Sequence, residues 1–170
     1  MVTAGNHVNS GCCFDYGNGE ANHNDNGNAH MNAIYFGTSC WFGGCQGSGP
    51  WVQADLENGL FPSGNKLWPS TQKSFPDRFV TAMEKNDGTT TFTLKGGNAQ
   101  SGALSTVYTG ALPTGYSPMK VEGGIILGTG GDDSSYSQGT FYEGAMTKGY
   151  PSDATENAVQ NDIIAAGYTA

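Results

Sequence analysis

Trp51-Val52-Gln53-Ala54-Asp55-Leu56-Glu57-Asn58-Gly59-Leu60-Phe61 is the stretch whose reading decides the fold. Its period of two sends Val52, Ala54 and Leu56 to one side and Gln53, Asp55 and Glu57 to the other, the signature of a strand with one core-facing side. The same reading predicts strands at Met31–Phe36, Ala103–Thr109, Gly124–Gly128 and Thr140–Met146. It also predicts a hairpin of Phe79–Lys85 and Thr89–Lys95 turning through Asn86-Asp87-Gly88, where Phe92 and Leu94 alternate with Thr91, Thr93 and Lys95. Loops rich in Gly, Pro and Ser separate these segments, and Pro69 and Pro76 make the run after Lys66 a loop in its first half. The pattern is that of an all-β sandwich forming a single domain over residues 1–170. One short C-terminal helix is expected, capped by Ser152, with Asp153 and Glu156 in its first turn, Val159, Ile163 and Ala166 at helical spacing, and Gly167 as its stop. It is expected to pack on the sandwich edge.

Composition agrees. Of 170 residues 27 are Gly, which disfavours long helices. The 7 basic residues against 15 acidic ones leave a net charge of −8 and no Lys/Arg cluster, so neither nucleic acid nor a membrane surface is an expected partner. Neutral substrates fit better. No run reaches the roughly 18 apolar residues of a membrane span, and MVTAGNHVNSG carries no apolar signal-peptide region. Cys12, Cys13, Cys40 and Cys45 have no C-x-x-C spacing, so a zinc site is not expected. Their even number suggests disulfides and an oxidising compartment. The four-residue gap between Cys40 and Cys45 predicts a local bond closing that loop. Cys12 and Cys13 are either two buried thiols or a bonded pair offering a flat sulfur platform to the less polar face of a sugar.

Three acidic clusters are candidates for chemistry. Asp55 and Glu57 would leave one strand face together beside Gln53. The ordinary reading of such a face is solvated and polar, but Trp51 and the Gly-rich approach GGCQGSGP favour a ligand at the backbone. GTGGDD (Gly128–Asp133) fails as a nucleotide loop, lacking both a sixth-position Gly and a following Lys-Ser/Thr, and reads as a tight turn presenting Asp132 or Asp133 to a cleft. Asn22–Gly27 looks like half a calcium loop, but Ala33 stands where a bidentate Glu belongs, so it reads as a polar loop and neither metal nor cofactor is expected. His23 and His30 have no nucleophile motif near them, and no G-x-S-x-G occurs.

Five strings taken together, GCCFDYGNGE (11–20), HMNAIYFG (30–37), GSGPWVQADLENGLF (47–61), EGGIILGTGGDDS (122–134) and QGTFYEGAMTKGYPSDATENAVQ (138–160), resemble the catalytic domain of fungal α-L-arabinofuranosidase B, glycoside hydrolase family 54. The resemblance spans nearly the whole chain but only the C-terminal half of that domain, so the N-terminal half and the family's arabinose-binding β-trefoil are expected to be lacking. It implies a concanavalin-like jelly-roll β-sandwich, present in part, that removes terminal α-L-arabinofuranosyl groups from arabinan and arabinoxylan with retention. By motif position it implies Glu57 as nucleophile and Asp132 as general acid/base. Asp55, Asn58 and Gly131 match pocket positions, and Cys12–Cys13 matches a vicinal disulfide packed against the sugar. Phe42 stands where the family has a Trp wall residue, with Trp41 just before it. The implied partner is plant cell-wall polysaccharide and the implied location extracellular. The truncation implies either a complementary N-terminal half or self-association. The rival reading is a vestigial sugar-binding module without turnover.

Overall fold

The computed structural model describes residues 1–169. Ten strands and one helix follow in order: β1 (Val2–Ala4), β2 (Asp15–Gly19), β3 (Asn32–Gly37), β4 (Trp51–Asp55), β5 (Leu60–Phe61), β6 (Phe79–Asn86), β7 (Thr91–Asn98), β8 (Ser105–Ala111), β9 (Gly124–Leu127), β10 (Phe141–Glu143) and α1 (Asp153–Ala166). They form two five-stranded antiparallel sheets, β10-β1-β6-β7-β8 and β5-β4-β3-β2-β9. The sheets face one another as a β-sandwich, as the alternating pattern predicts.

The core between them is built from alternate residues. Ile34 and Phe36 of β3 and Val52 and Ala54 of β4 meet Val80 and Ala82 of β6 and Phe92 and Leu94 of β7. Full burial of each larger side chain is worth about 1.5–3 kcal/mol, so this register is held strongly. A one-residue slip would turn all of it to solvent.

Trp51–Phe61 is not one strand. The chain reverses after Asp55 and returns as β5, which pairs Ala54 with Phe61 and Asp55 with Leu60. Glu57, Asn58 and Gly59 take φ of 95°, 52° and 135° to make the turn. Asn-Gly is the dipeptide best suited to such angles. The period of two hides the reversal because Leu56 reaches the core in either conformation.

Two strands lie outside the predicted set. β1 is three residues long, and β2 has Gly at two of its five positions. Gly17 is needed there, because a Cβ at that position would lie 2.6 Å from the Ala33 Cα on β3. Low β-propensity hides a strand whose role requires small residues.

The helix forms as expected. The Ser152 Oγ accepts from the Thr155 N–H at 3.2 Å, and Gly167, at φ 76°, donates to the Ile164 carbonyl at 3.1 Å. It lies over the outer face of the β6–β7 pair rather than at the sandwich edge. Lys85 and Lys95, which point away from the core, reach Asp153 and Glu156 from beneath it. Among the described residues, no helix is long and apolar enough to cross a membrane.

Candidate active site

The outer face of the other sheet carries the acids. Register places Tyr35 of β3 between Asp15 of β2 and Gln53 of β4, and Ala33 opposite Asp55. This face is not solvated: Asp15 and Gln53 are fully buried and Asp55 is 6% exposed. Loops cover it. The Cys12–Cys13 loop lies on Tyr35 and Leu60 and forms a small apolar cluster with them.

Both expected disulfides are formed, Cys12–Cys13 and Cys40–Cys45, and the peptide joining Cys12 to Cys13 is cis. The vicinal pair is tied to the Gly-rich turn. The Cys13 N–H donates to the Ser134 carbonyl at 3.3 Å and the Tyr136 N–H to the Cys12 carbonyl at 3.1 Å. Within that turn, the Gly130 N–H donates to the Ser134 carbonyl at 2.8 Å and the Ser134 N–H to Asp132 Oδ1 at 3.0 Å.

A pocket of about 100 Å³ opens between these parts. Its floor is Cys12, Cys13 and Leu60, and Asp25, Asp55 and Asp132 project into it. Gly131 lines it as well. A Cβ there would stand 2.7 Å from the Met31 sulfur, so a larger residue would require the buried Met31 side chain or the turn to shift. Asp132 is exposed at the rim, whereas the equally exposed Asp133 turns away to His23, 2.9 Å from its Nδ1. Of the pair, Asp132 lines the pocket and Asp133 does not.

Glu57 sits in the β4–β5 turn, 1% exposed. The Asn26 N–H donates to its Oε1 at 2.9 Å and the His30 N–H to its Oε2 at 2.8 Å. Its own N–H donates to Asp55 Oδ1 at 3.1 Å, and the Tyr116 hydroxyl donates to its carbonyl at 2.5 Å. Burial pushes the Glu57 carboxyl up, but bonds from Glu20 and from the His30, Asn28 and Asn26 amides outweigh burial and hold it below the usual range. It is thus ionised in a site that otherwise favours protonated acids.

Its neighbours go the other way. Asp15 is driven well above the usual carboxylate range by burial and then by Asp55. Neither Asp15 oxygen meets an N–H or hydroxyl donor, which favours its protonated form beside Asp55. Burial raises Asp55 to about 7. Asp25 is raised by burial against the N–H of Asn58, with Asp132 and Glu57 both adding to the rise. Glu20 is pushed up to about 8 by burial and by the Glu57 carboxylate.

Two groups bring three metal-ligating atoms within 4.8 Å of one another, Cys12/Cys13/Asp55 and Glu20/His30/Glu57. The sulfurs of the first are spent in a disulfide, and a thiolate is the form that binds metal.

Residues 1–169 match the family model described as "Alpha-L-arabinofuranosidase B, catalytic". The chain belongs to this family. It is 57% identical over 169 residues to a probable α-L-arabinofuranosidase B of Aspergillus clavatus, covering 98% of this chain and 33% of that protein. It is 56% identical to the α-L-arabinofuranosidase of Hypocrea jecorina, of which it covers 34%. The crystal structure of an arabinofuranosidase complexed with arabinofuranosyl-α-1,2-xylobiose superposes with a TM-score of 0.93 at 52% identity, over 99% of this chain and 35% of that one. A family 54 α-L-arabinofuranosidase soaked with a cyclic sulfate inhibitor gives the same TM-score at 53% identity, again covering 35% of that chain. The chain spans about a third of the length of the curated relatives it matches.

In this arabinofuranosidase B fold the wall position resolves differently from expectation. Phe42 is half-buried and packs on Phe61, ring centroids 5.4 Å apart, and does not line the pocket. Trp41, 51% exposed, lines it instead. Asn58 is also outside the pocket lining, and its N–H holds the Asp25 carboxylate. Asp15, Glu20 and Asp25 were missed by reading residues one segment at a time. The first two lie at either end of the unrecognised strand β2, and the third in the loop read as merely polar. The signal available was parity: Asp15, Gly17 and Gly19 share one face.

Proposed function

We propose that this chain carries the active site of a retaining α-L-arabinofuranosidase acting on arabinose-bearing plant cell-wall polysaccharide outside the cell. The observation that supports it best is the contrast between Glu57, buried yet kept ionised by backbone N–H donors, and Asp132, exposed at the rim of a pocket lined by the vicinal disulfide. Retention needs one carboxylate to attack and one acid to protonate the departing oxygen. Glu57 attacks the anomeric carbon, Asp132 gives its proton to the leaving oxygen, and a covalent glycosyl-enzyme forms. Asp132 then takes a proton from water, which displaces Glu57. Cys12–Cys13 receives the less polar sugar face, and Asp55 and Gly131 shape the rest. A net charge of −8 suits a neutral sugar.

Completion by further chain is part of the proposal. Ile125 and Leu127 on edge strand β9 are 68% and 49% exposed, and Ile125 lines an opening between the sheets of about 380 Å³ together with Ile34, Glu84, Val121 and Met146. An apolar edge of this kind suits coverage by a complementary segment such as the longer relatives possess. The test is incubation with p-nitrophenyl α-L-arabinofuranoside, alone and with the separately expressed remainder of a relative's catalytic domain. Nitrophenol release is expected at least in the complemented sample. Arabinose binding without turnover in both would leave a sugar-binding module in its place.

A further inference from the structure

Glu20 directly follows β2 and is 4% exposed, and neither carboxyl oxygen meets an N–H or hydroxyl donor. What it does meet is Glu57, in a group with His30 whose ligating atoms all lie within 4.8 Å. Two buried carboxyls this close cannot both be ionised without a proton or a cation between them. Glu57 already accepts from two backbone N–H groups, which favours its charged form, so a shared proton is carried by Glu20.

We propose that Glu20 is a positioning residue for Glu57, its protonated carboxyl donating to the Glu57 carboxylate so that the carboxylate stays ionised and aimed while its own face remains buried. This rests on the assignment of Glu57 as nucleophile. Burial raises Glu20 first, and the charges of Glu57, Asp25 and Glu122 raise it further. His30 faces Glu122, 3.4 Å from its Nδ1, and Asp25 lies between Glu57 and Asp132 in its charge interactions. Near neutral pH the pair shares one proton. Raising the pH past the Glu20 value removes it and sets two carboxylates against each other.

Carbon-13 side-chain carboxyl NMR of the full chain tests this without turnover, with Glu20→Gln and Glu57→Gln supplying assignments. The Glu20 resonance is expected to titrate above pH 7 and to fall toward the ordinary Glu range in Glu57→Gln. Titration of Glu20 in the ordinary range overturns the proposal. So does displacement of both resonances by micromolar zinc chloride, which would assign the pair to a cation. Where turnover is measurable, Glu20→Ala should raise the acidic limb of kcat/KM by about one pH unit, since Glu57 loses a donor. Glu20→Gln keeps a donor and should leave that limb in place. A limb that moves equally in both variants also overturns it. A chain that hydrolyses nothing defeats the reading of function and leaves the NMR result standing, whereas turnover with an ordinary Glu20 titration does the reverse.

Discussion

Beneath helix α1, Lys85 and Lys95 are nearly buried, and their Nζ atoms lie 3.0 and 2.5 Å from Glu156 Oε2 and 2.8 Å each from Asp153 Oδ1. On the outer face of the opposite sheet, Asp15, Asp55, Glu20 and Glu57 are buried as well, and among the described residues no Lys or Arg forms an ion pair with any of them. The same architecture thus buries charge twice, once compensated and once not. On the helix side, burial lowers both lysines but the two acids outweigh it, so both lysines keep their charge. On the acid side, burial raises Asp15, Asp55 and Glu20, and of the four acids Glu57 alone is held below the usual carboxylate range. Compensated charge fastens an element. Uncompensated charge is a cost that a site can use.

The sharpest break of this contrast is Glu57→Gln. If Glu57 forms the covalent intermediate, its amide should lower turnover of every arabinofuranoside by a factor on the order of 10⁴ or more. The fold should remain, although the amide has one acceptor oxygen and keeps only one of the two bonds from the Asn26 and His30 N–H groups. Loss of activity with a melting temperature lowered by only a few degrees is the expected pair of readings.

Asp132→Asn should be severe on polysaccharide, by about 10²–10⁴-fold, and milder on an aryl glycoside whose phenolate leaves without a proton. Asp133→Asn, which disturbs only an exposed contact with His23, should change either rate little. Rate measurements on the two substrate types separate the aspartates. Leaving-group dependence in Asp133→Asn instead would move the acid/base role to Asp133.

On the compensated side the expected effect is on stability alone. Glu156→Ala would leave two buried lysines with the exposed Asp153 and, for Lys85, the Pro151 carbonyl, costing about 3 kcal/mol, the price of stranding buried charge. Thermal unfolding should register it as a drop of several degrees, with kcat/KM intact below the transition.

How far this contrast was legible in the sequence differs between the two sides. The helix and its cap were readable, because capping and spacing are local signals. That Lys85 and Lys95 lie beneath it was not, since their parity marks them as outward-facing and gives no hint of a cover. Periodicity singled out Glu57 beside Asp55 but placed it on the wrong kind of backbone, the Gly-rich turn offered Asp132 or Asp133, and only motif resemblance supplied the roles of Glu57 and Asp132. Asn58-Gly59 announced the turn, but alternation through Leu56 masked it. Asp15 was legible only through its parity with Gly17 and Gly19, and Glu20 and Asp25 were illegible because their surroundings depend on loops folding over a sheet face that, as sequence, looks solvated. Trp41 taking the wall in place of Phe42 depends on which of two adjacent rings packs on Phe61, a choice made only by the packing.

The smallest expected effect is also the one that weighs the uncompensated side directly. Asp15, Asp55 and Glu20 have native values raised above those of the unfolded chain, where carboxyls titrate near pH 4. The native state therefore holds protons that the unfolded state has lost, and stability falls as pH rises from about 4 toward the native values. Those values, about 7 for Asp55 and about 8 for Glu20, set the upper end of the window. Glu57, held low, acts oppositely and only in acid, where its contribution is lost as the pH falls. Between pH 5 and 8 the melting temperature should thus decline by a few degrees. Asp15→Asn supplies a neutral side chain of similar shape that still donates to Asp55, so its decline should be shallower and its melting temperature at pH 8 higher than that of the parent. A melting temperature that rises across this window would mean that the buried acids are ionised and favourably solvated after all. The two outer faces of the sandwich would then handle charge alike.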